Sequence, residues 1–322
     1  MIFPFLKGFI GFQKAPITWV IVILNLMIFV TFTDSLQKDI VLQKISKKNN
    51  LFQTGIYYKQ YLISKKQEKQ IQDPILQKWL LSDQPGALQI LGGLAMRDGV
   101  FLNAVEKWDF RGDVIQLQIW KQSIAEFNDF MRERNLNIFG LSAQQMNWPN
   151  WLTYQFMHGS WLHLLSNMII LVLFGALLEM MFGSLIVLSV YILGGFAGAW
   201  FFLNMSGLSA APMVGASGAV SALIAFYAIS EIRKRVKFVY FISPFQGYYG
   251  YIYLPTFLIL PICFLTDLSG YLVTPLELGG VAYTAHIGGA CFGVVAAIFC
   301  KLLKVPQSSF LEFRSEELKI LS

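Results

Sequence analysis

The run WLHLLSNMIILVLFGALLEMMF, residues 161–182, is apolar apart from a few polar positions near its start and Glu179 near its close. A helix needs about 20 such residues to cross the hydrocarbon of a bilayer, so this stretch reads as a membrane span. Four more segments qualify further along, at roughly 185–204, 214–231, 251–268 and 281–301. On the N-terminal side, Pro16 to Thr33 forms an 18-residue apolar run. Lys7 and Lys14 precede it in the manner of a signal peptide, but the run is long for one and lacks a small-x-small cleavage site. It is read as an uncleaved first helix. The expected fold is an all-α membrane protein with six transmembrane helices.

Composition agrees. Of the 322 residues, 55% are hydrophobic and 14% charged, against about 25% charged in soluble domains, and the mean hydropathy is +0.54. The net charge of +6 could suggest nucleic acid, but the basic residues are scattered or lie beside apolar segments. No nucleic-acid partner is expected. Cys263, Cys291 and Cys300 all fall in apolar stretches, so they read as small packing residues and not as a disulfide framework. No C-x-x-C spacing is present, and no metal or cofactor is expected.

One segment breaks the pattern. Asp34 to about Asn150 is polar and too long for a simple loop, and it reads as mostly helical. From Asp113 to Arg134 the residues Val114, Leu117, Ile124, Phe127 and Met131 recur at helical spacing, one apolar stripe of an amphipathic helix. Lys44 to Gln72, rich in Lys and Gln with little periodicity, reads as flexible. The chain therefore divides into an N-terminal segment with the first helix (1–33), a large insertion (34–138), a core of five membrane helices (139–304) and a short polar tail (305–322).

Charge sets the expected orientation. The densest basic cluster, Arg233-Lys234-Arg235 with Lys237, follows the fourth span; Lys301 and Lys304 follow the sixth, and Lys7 and Lys14 precede the first. With six spans all three places share one side, which the positive-inside rule makes cytoplasmic. Both termini are then cytoplasmic and the insertion is outside, in what reads as a bacterial inner membrane, since no Arg-rich, acid-poor leader points to an organelle.

The only three histidines, His158, His163 and His286, lie in or at the edge of these spans. Ionisable groups within a bilayer are costly and usually functional, though a single one can simply be a hydrogen-bonded core residue. His163 and Asn167, four apart, share a helix face. Ser217 opens the fourth span and His286 lies early in the sixth. At 1.5 Å rise per residue all four sit within roughly the outer third of the bilayer, on helices running the same way. Gly215-Ala216-Ser217-Gly218-Ala219 and Ala285-His286-Ile287-Gly288-Gly289 are nearly all small. Such stretches usually mark close helix packing, which here would also bring a serine to an imidazole. A serine hydroxyl needs a base to become nucleophilic, and neutral histidine suits that role. The Asn167 amide, the His163 imidazole and the first-turn backbone N–H of Ser217 are candidate donors to an oxyanion. No acid lies within eight residues of His286 in sequence, so a dyad is expected; Asp267, further away, could approach only through folding.

Four motifs occur in order: His158-Gly-Ser-Trp-Leu-His163-Leu-Leu-Ser-Asn167, Gly175-x-x-x-Glu179-x-x-x-Gly183, Gly215-Ala216-Ser217-Gly218, and Ala285-His286-Ile287-Gly288-Gly289. Each is weak alone, but together they resemble the rhomboid family of intramembrane serine proteases over roughly Phe139 to Leu302. The resemblance implies a six-helix rhomboid-type bundle in which Ser217 is nucleophile and His286 general base. It implies an oxyanion hole from His163, Asn167 and Ser217, supported by His158 and Gly215. It makes Glu179 structural, with Gly175, Gly183 and Gly289 as packing positions. Transmembrane protein substrates would enter from the bilayer past the fifth helix and the loop near 269–280. Two features depart from the pattern of some members: Ser221 stands where a tyrosine stacks on the histidine, with Tyr283 or Phe226 as possible substitutes, and a Trp-Arg pair in the first loop is absent. Trp148 and Trp151 nearby fit an interfacial aromatic belt.

Three rival readings differ in kind. A catalytically dead relative that binds membrane clients would have lost Ser217 or His286, and both are present. A transporter would show polar residues through the full membrane depth or an internal repeat. A zinc protease would need a motif such as H-E-x-x-H, which the chain lacks.

Overall fold

The computed structural model describes residues 2–4, 11–32, 48–65, 74–96, 98–133, 135–142, 147–205, 212–241, 249–273 and 283–307. Helix α1 (Pro16–Phe32) opens with a proline, whose missing N–H costs nothing at the first helical position. Next come α2 (Lys48–Ser64), α3 (Pro74–Leu80), α4 (Pro85–Ala95), α5 (Gly99–Ala104) and α6 (Val114–Glu133). They share a hydrophobic core of their own, built around Tyr57, Tyr61, Leu91, Phe101, Trp120 and Ile124.

Two expectations are corrected here. Within 44–72, Lys48–Ser64 is a regular helix: Thr54, Tyr57, Tyr58, Tyr61 and Leu62 are buried along one face, so tyrosines carry the apolar periodicity. Residues 44–47 and 66–72 lie outside the described ones. In α6 the buried stripe runs through Trp120, Ile124 and Phe127 with Leu117 packed alongside, while Val114 is exposed. The side chain of Met131 is not among those described.

After the short helices α7 (Asn135–Phe139) and α8 (Asn150–Thr153) comes the apolar bundle. Helix α9 (Trp161–Phe182) contains one π-helical turn at Leu171–Gly175. It is followed by α10 (Ser184–Met205), α11 (Ser217–Ser230), α12 (Ile259–Val273) and α13 (Tyr283–Leu302). Three of these, α9, α10 and α13, are long and apolar enough to cross a membrane; α1 and α11 are apolar but shorter, as is the segment Thr256–Ser269 that includes most of α12. The chain is thus mostly helical, with three helices of the length and apolarity a membrane span needs.

It is not wholly helical. Strands β1 (Ile2–Pro4), β2 (Arg235–Phe241) and β3 (Tyr249–Pro255) form an antiparallel sheet in that order, with Ile2 opposite Tyr240 and Phe238 opposite Ile252. The aromatic and β-branched composition of RVKFVYF and YGYIYLP suits a pleated ribbon. Residues 251–255, expected to start the fifth span, belong to this hairpin, and Pro255 closes it. The sheet gathers the segment before α1, the end of α11 and the approach to α12 at one end of the bundle.

Glu179 ties that end together. Its Oε1 accepts from the Ile17 N–H (2.8 Å) and the Ser184 hydroxyl (2.6 Å), and its Oε2 from the Thr18 N–H (2.8 Å) and Thr18 hydroxyl (2.7 Å). A carboxylate at the first turn of α1 satisfies orphan N–H groups and complements the helix dipole. Gly175 packs against Thr18. Gly183 is corrected from a packing position: a Cβ there would meet nothing, but its φ of 84° lets the chain turn from α9 into α10.

Candidate active site

Helices α11 and α13 meet backbone to backbone. A Cβ on Gly218 would stand 3.3 Å from the Ala285 carbonyl oxygen, and one on Gly289 would overlap the Gly218 carbonyl. A Cβ on Gly293 would likewise overlap the Ala222 carbonyl. Ser217 and His286, each one residue from this contact, therefore flank the same helix crossing. Ser217 is half-buried at the first position of α11, where its backbone N–H has no partner within the helix.

The segment that delivers Ser217 is anchored from both sides. Leu141 and Met213 exchange hydrogen bonds of 2.9 and 2.7 Å, and the Gly215 N–H donates to the Tyr154 carbonyl at 2.9 Å. The Tyr154 hydroxyl in turn donates to the Gly195 carbonyl in α10 at 2.6 Å.

Beside this segment stand the two donors read from α9. The His163 ring lies 2.7 Å from where a Gly215 Cβ would stand, and the Asn167 amide nitrogen 3.7 Å from it. Gly215 also has φ of 119°, a conformation that L side chains avoid. Both reasons make glycine the residue for the position. Gly215→Ala is expected to displace His163 and cut cleavage about 100-fold, the scale of losing one oxyanion donor, with the circular dichroism spectrum unchanged; kinetics and far-ultraviolet spectra of the purified variant check this.

His158 sits behind Asn167. Its Nε2 lies 3.1 Å from the Asn167 amide nitrogen and 3.5 Å from the Ala216 nitrogen. An amide NH2 and a backbone N–H can only donate, so the ring must present a lone pair there and carry its proton on Nδ1. His158 is in the loop before α9. Burial, and secondly the neighbouring His163, push it down to about 3, opposed weakly by the Phe156 backbone. The folded form thus binds this proton far less readily than the unfolded chain, whose histidine titrates near ~6.5. Its contribution to stability is present above about pH 6.5 and is lost as the pH falls toward 3. The thermal midpoint in detergent is expected to drop between pH 7 and 5, and to drop less in His158→Asn.

His286 has two distinct ring nitrogens. Nδ1 lies 2.9 Å from Asp267 Oδ1 on α12, while Nε2 is buried without a hydrogen-bond partner among the described residues. The expectation that His286 has no acid beside it is thereby corrected: the fold brings in Asp267 across 19 residues of sequence. The available signal was that Asp267 is the only charged residue in the apolar stretch 251–268, an expensive placement unless it is paired. The Tyr283 ring lies edge-on to His286 with centroids 6.3 Å apart. Phe226 packs on Phe182 instead. Most of the loop near 269–280 falls outside the described residues.

Comparison with known proteins bears on the same part of the chain. No curated protein matches it. Residues 145–302, from just before α8 to the end of α13, match the Rhomboid domain, and by that domain the chain belongs to the rhomboid family of intramembrane serine proteases.

Proposed function

We propose that this chain is an active intramembrane endopeptidase that cleaves membrane proteins in or near their transmembrane segments, with Ser217 as nucleophile and His286 as general base. The observation that carries it is the α11–α13 crossing, where Ser217 and His286 flank a glycine contact and His286 keeps an unpaired Nε2. In the first step the Ser217 hydroxyl attacks the scissile carbonyl carbon while its proton passes to Nε2. The oxyanion is held by His163, by the Asn167 N–H not directed at His158, and by the Ser217 backbone N–H. The proton then moves to the leaving amine, and water hydrolyses the acyl-enzyme with His286 again as base.

The membrane placement goes with this reading. All six apolar segments cross, with both termini on the cytoplasmic side and the 34–138 insertion outside. Helix α11 has 14 residues, about 21 Å of rise, against about 30 Å of hydrocarbon. With the exposed Arg233 and Lys234 at the inner interface, Ser217 lies about 9 Å beneath the outer one. His163 and Asn167, near the start of α9, and His286, near the start of α13, reach the same depth. Substrates would come from the bilayer past α12.

The test is cleavage of a transmembrane substrate by purified protein in liposomes. Wild type is expected to cut within or near the outer end of the substrate helix. No cutting of several substrates with small residues and unstable helices there would overturn the reading and favour a client-binding relative.

A further inference from the structure

We infer that Asp267 is the positioning residue of the active site, making the catalytic unit of this chain a Ser217–His286–Asp267 triad; the inference rests on the proposed protease activity. Helix α12 exposes Ile262, Phe264 and Leu265 and turns the face bearing Cys263 and Asp267, four apart, inward. The Asp267 side chain is 20% exposed and that of His286 16%. A separation of 2.9 Å between Nδ1 and Oδ1 is that of an N–H···O hydrogen bond. The carboxylate can only accept, so it holds the imidazole proton on Nδ1. This leaves the lone pair on Nε2, the nitrogen without a partner, which is the tautomer a serine base requires.

The balance of the step follows. As the Ser217 oxygen bonds to the carbonyl carbon, its proton goes to Nε2 and the ring becomes imidazolium. Asp267 stays a carboxylate and takes no proton. When the C–N bond breaks, that proton leaves with the amine. Attraction between Asp267 and the ring is greatest while the ring is charged, near the transition state. It therefore acts on kcat and not on substrate binding. The other titratable groups facing His286 are His163 from α9, Tyr283 on its own helix and Cys263 beside Asp267. None of these carries a carboxylate, so no second one can stand in for Asp267 among the described residues.

A tether joining α12 to α13 is the competing role, and Asp267→Asn separates the two. The amide keeps the shape and a hydrogen bond but cannot enforce the tautomer or meet the imidazolium charge. We expect Asp267→Asn to lower kcat about 10–100-fold, short of the ~10⁴-fold seen for a fully enclosed triad aspartate. KM and the thermal midpoint should stay at wild-type values. The rate of Ser217 labelling by a fluorophosphonate, which needs no substrate to enter past α12, should fall in parallel, and Asp267→Glu should recover part of both. Wild-type kcat and labelling in Asp267→Asn would overturn the inference while leaving the protease reading intact. So would a loss of kcat that only follows a loss of thermal stability, or a gain in kcat, which would mean that the bond restrains α12. Wild type that neither cleaves nor labels would overturn the protease reading, and this inference with it.

Discussion

Ser217→Ala and His286→Ala are each expected to lower kcat for a transmembrane substrate by about 10⁴-fold or more, and the double variant to be no worse than either. Members of one nucleophile–base unit are not additive, because losing either stops the same proton transfer. The fold should survive both changes. Ser217 is half-buried and loses one hydroxyl, and the α11–α13 contact is made by Gly218, Ala285 and Gly289, which neither substitution touches. Equal thermal midpoints alongside lost turnover would separate loss of chemistry from loss of structure. Activity retained in His286→Ala would require another base, and His163 and His158 are the other histidines beside the Ser217 segment.

The largest expected effect on stability is at Glu179. Glu179→Ala removes both oxygens that accept from Ile17, Thr18 and Ser184, leaving a buried helix N-terminus and two hydroxyls without that acceptor. Unsatisfied buried polar groups cost about 1–3 kcal/mol each. Partners found in the unfolded membrane state reduce such values, so a net loss of about 2–4 kcal/mol is expected. Glu179→Gln, which keeps one acceptor oxygen, should lose roughly half of that. Thermal unfolding in detergent checks both. Near-wild-type stability in Glu179→Ala would mean that this junction does not hold α1 to α9.

What could be read from the chain before its fold follows from the length scale of each interaction. Apolar length and small-residue spacing are local properties, and they located the helices and the α11–α13 crossing. Helices of known rise put His163, Asn167, Ser217 and His286 at matching offsets, and His163 and Asn167 do stand beside the Ser217 segment; His158 and Gly215 were assigned to the site only by the family resemblance. The Asp267–His286 bond was not legible, since it depends on which face of α12 turns inward and no periodicity within an almost uniformly apolar helix decides that. The sheet was missed because its strands abut apolar helices: YGYIYLP reads as a continuation of the fifth span until Pro255 and the pairing with RVKFVYF are seen. In α2 the buried face is tyrosine among lysines and glutamines, so a count of polar residues hid a core helix. Gly183 looked like the packing glycines around it, and only its positive φ distinguishes a turn from a contact.

The most direct measurement of the central claim is covalent labelling of the purified wild-type chain in liposomes with a fluorophosphonate, followed by peptide mapping of the adduct. One adduct is expected, on Ser217, with loss of substrate cleavage in proportion to labelling and no adduct in Ser217→Ala or His286→Ala. An adduct on another serine, or cleavage undiminished once Ser217 is fully labelled, would contradict it.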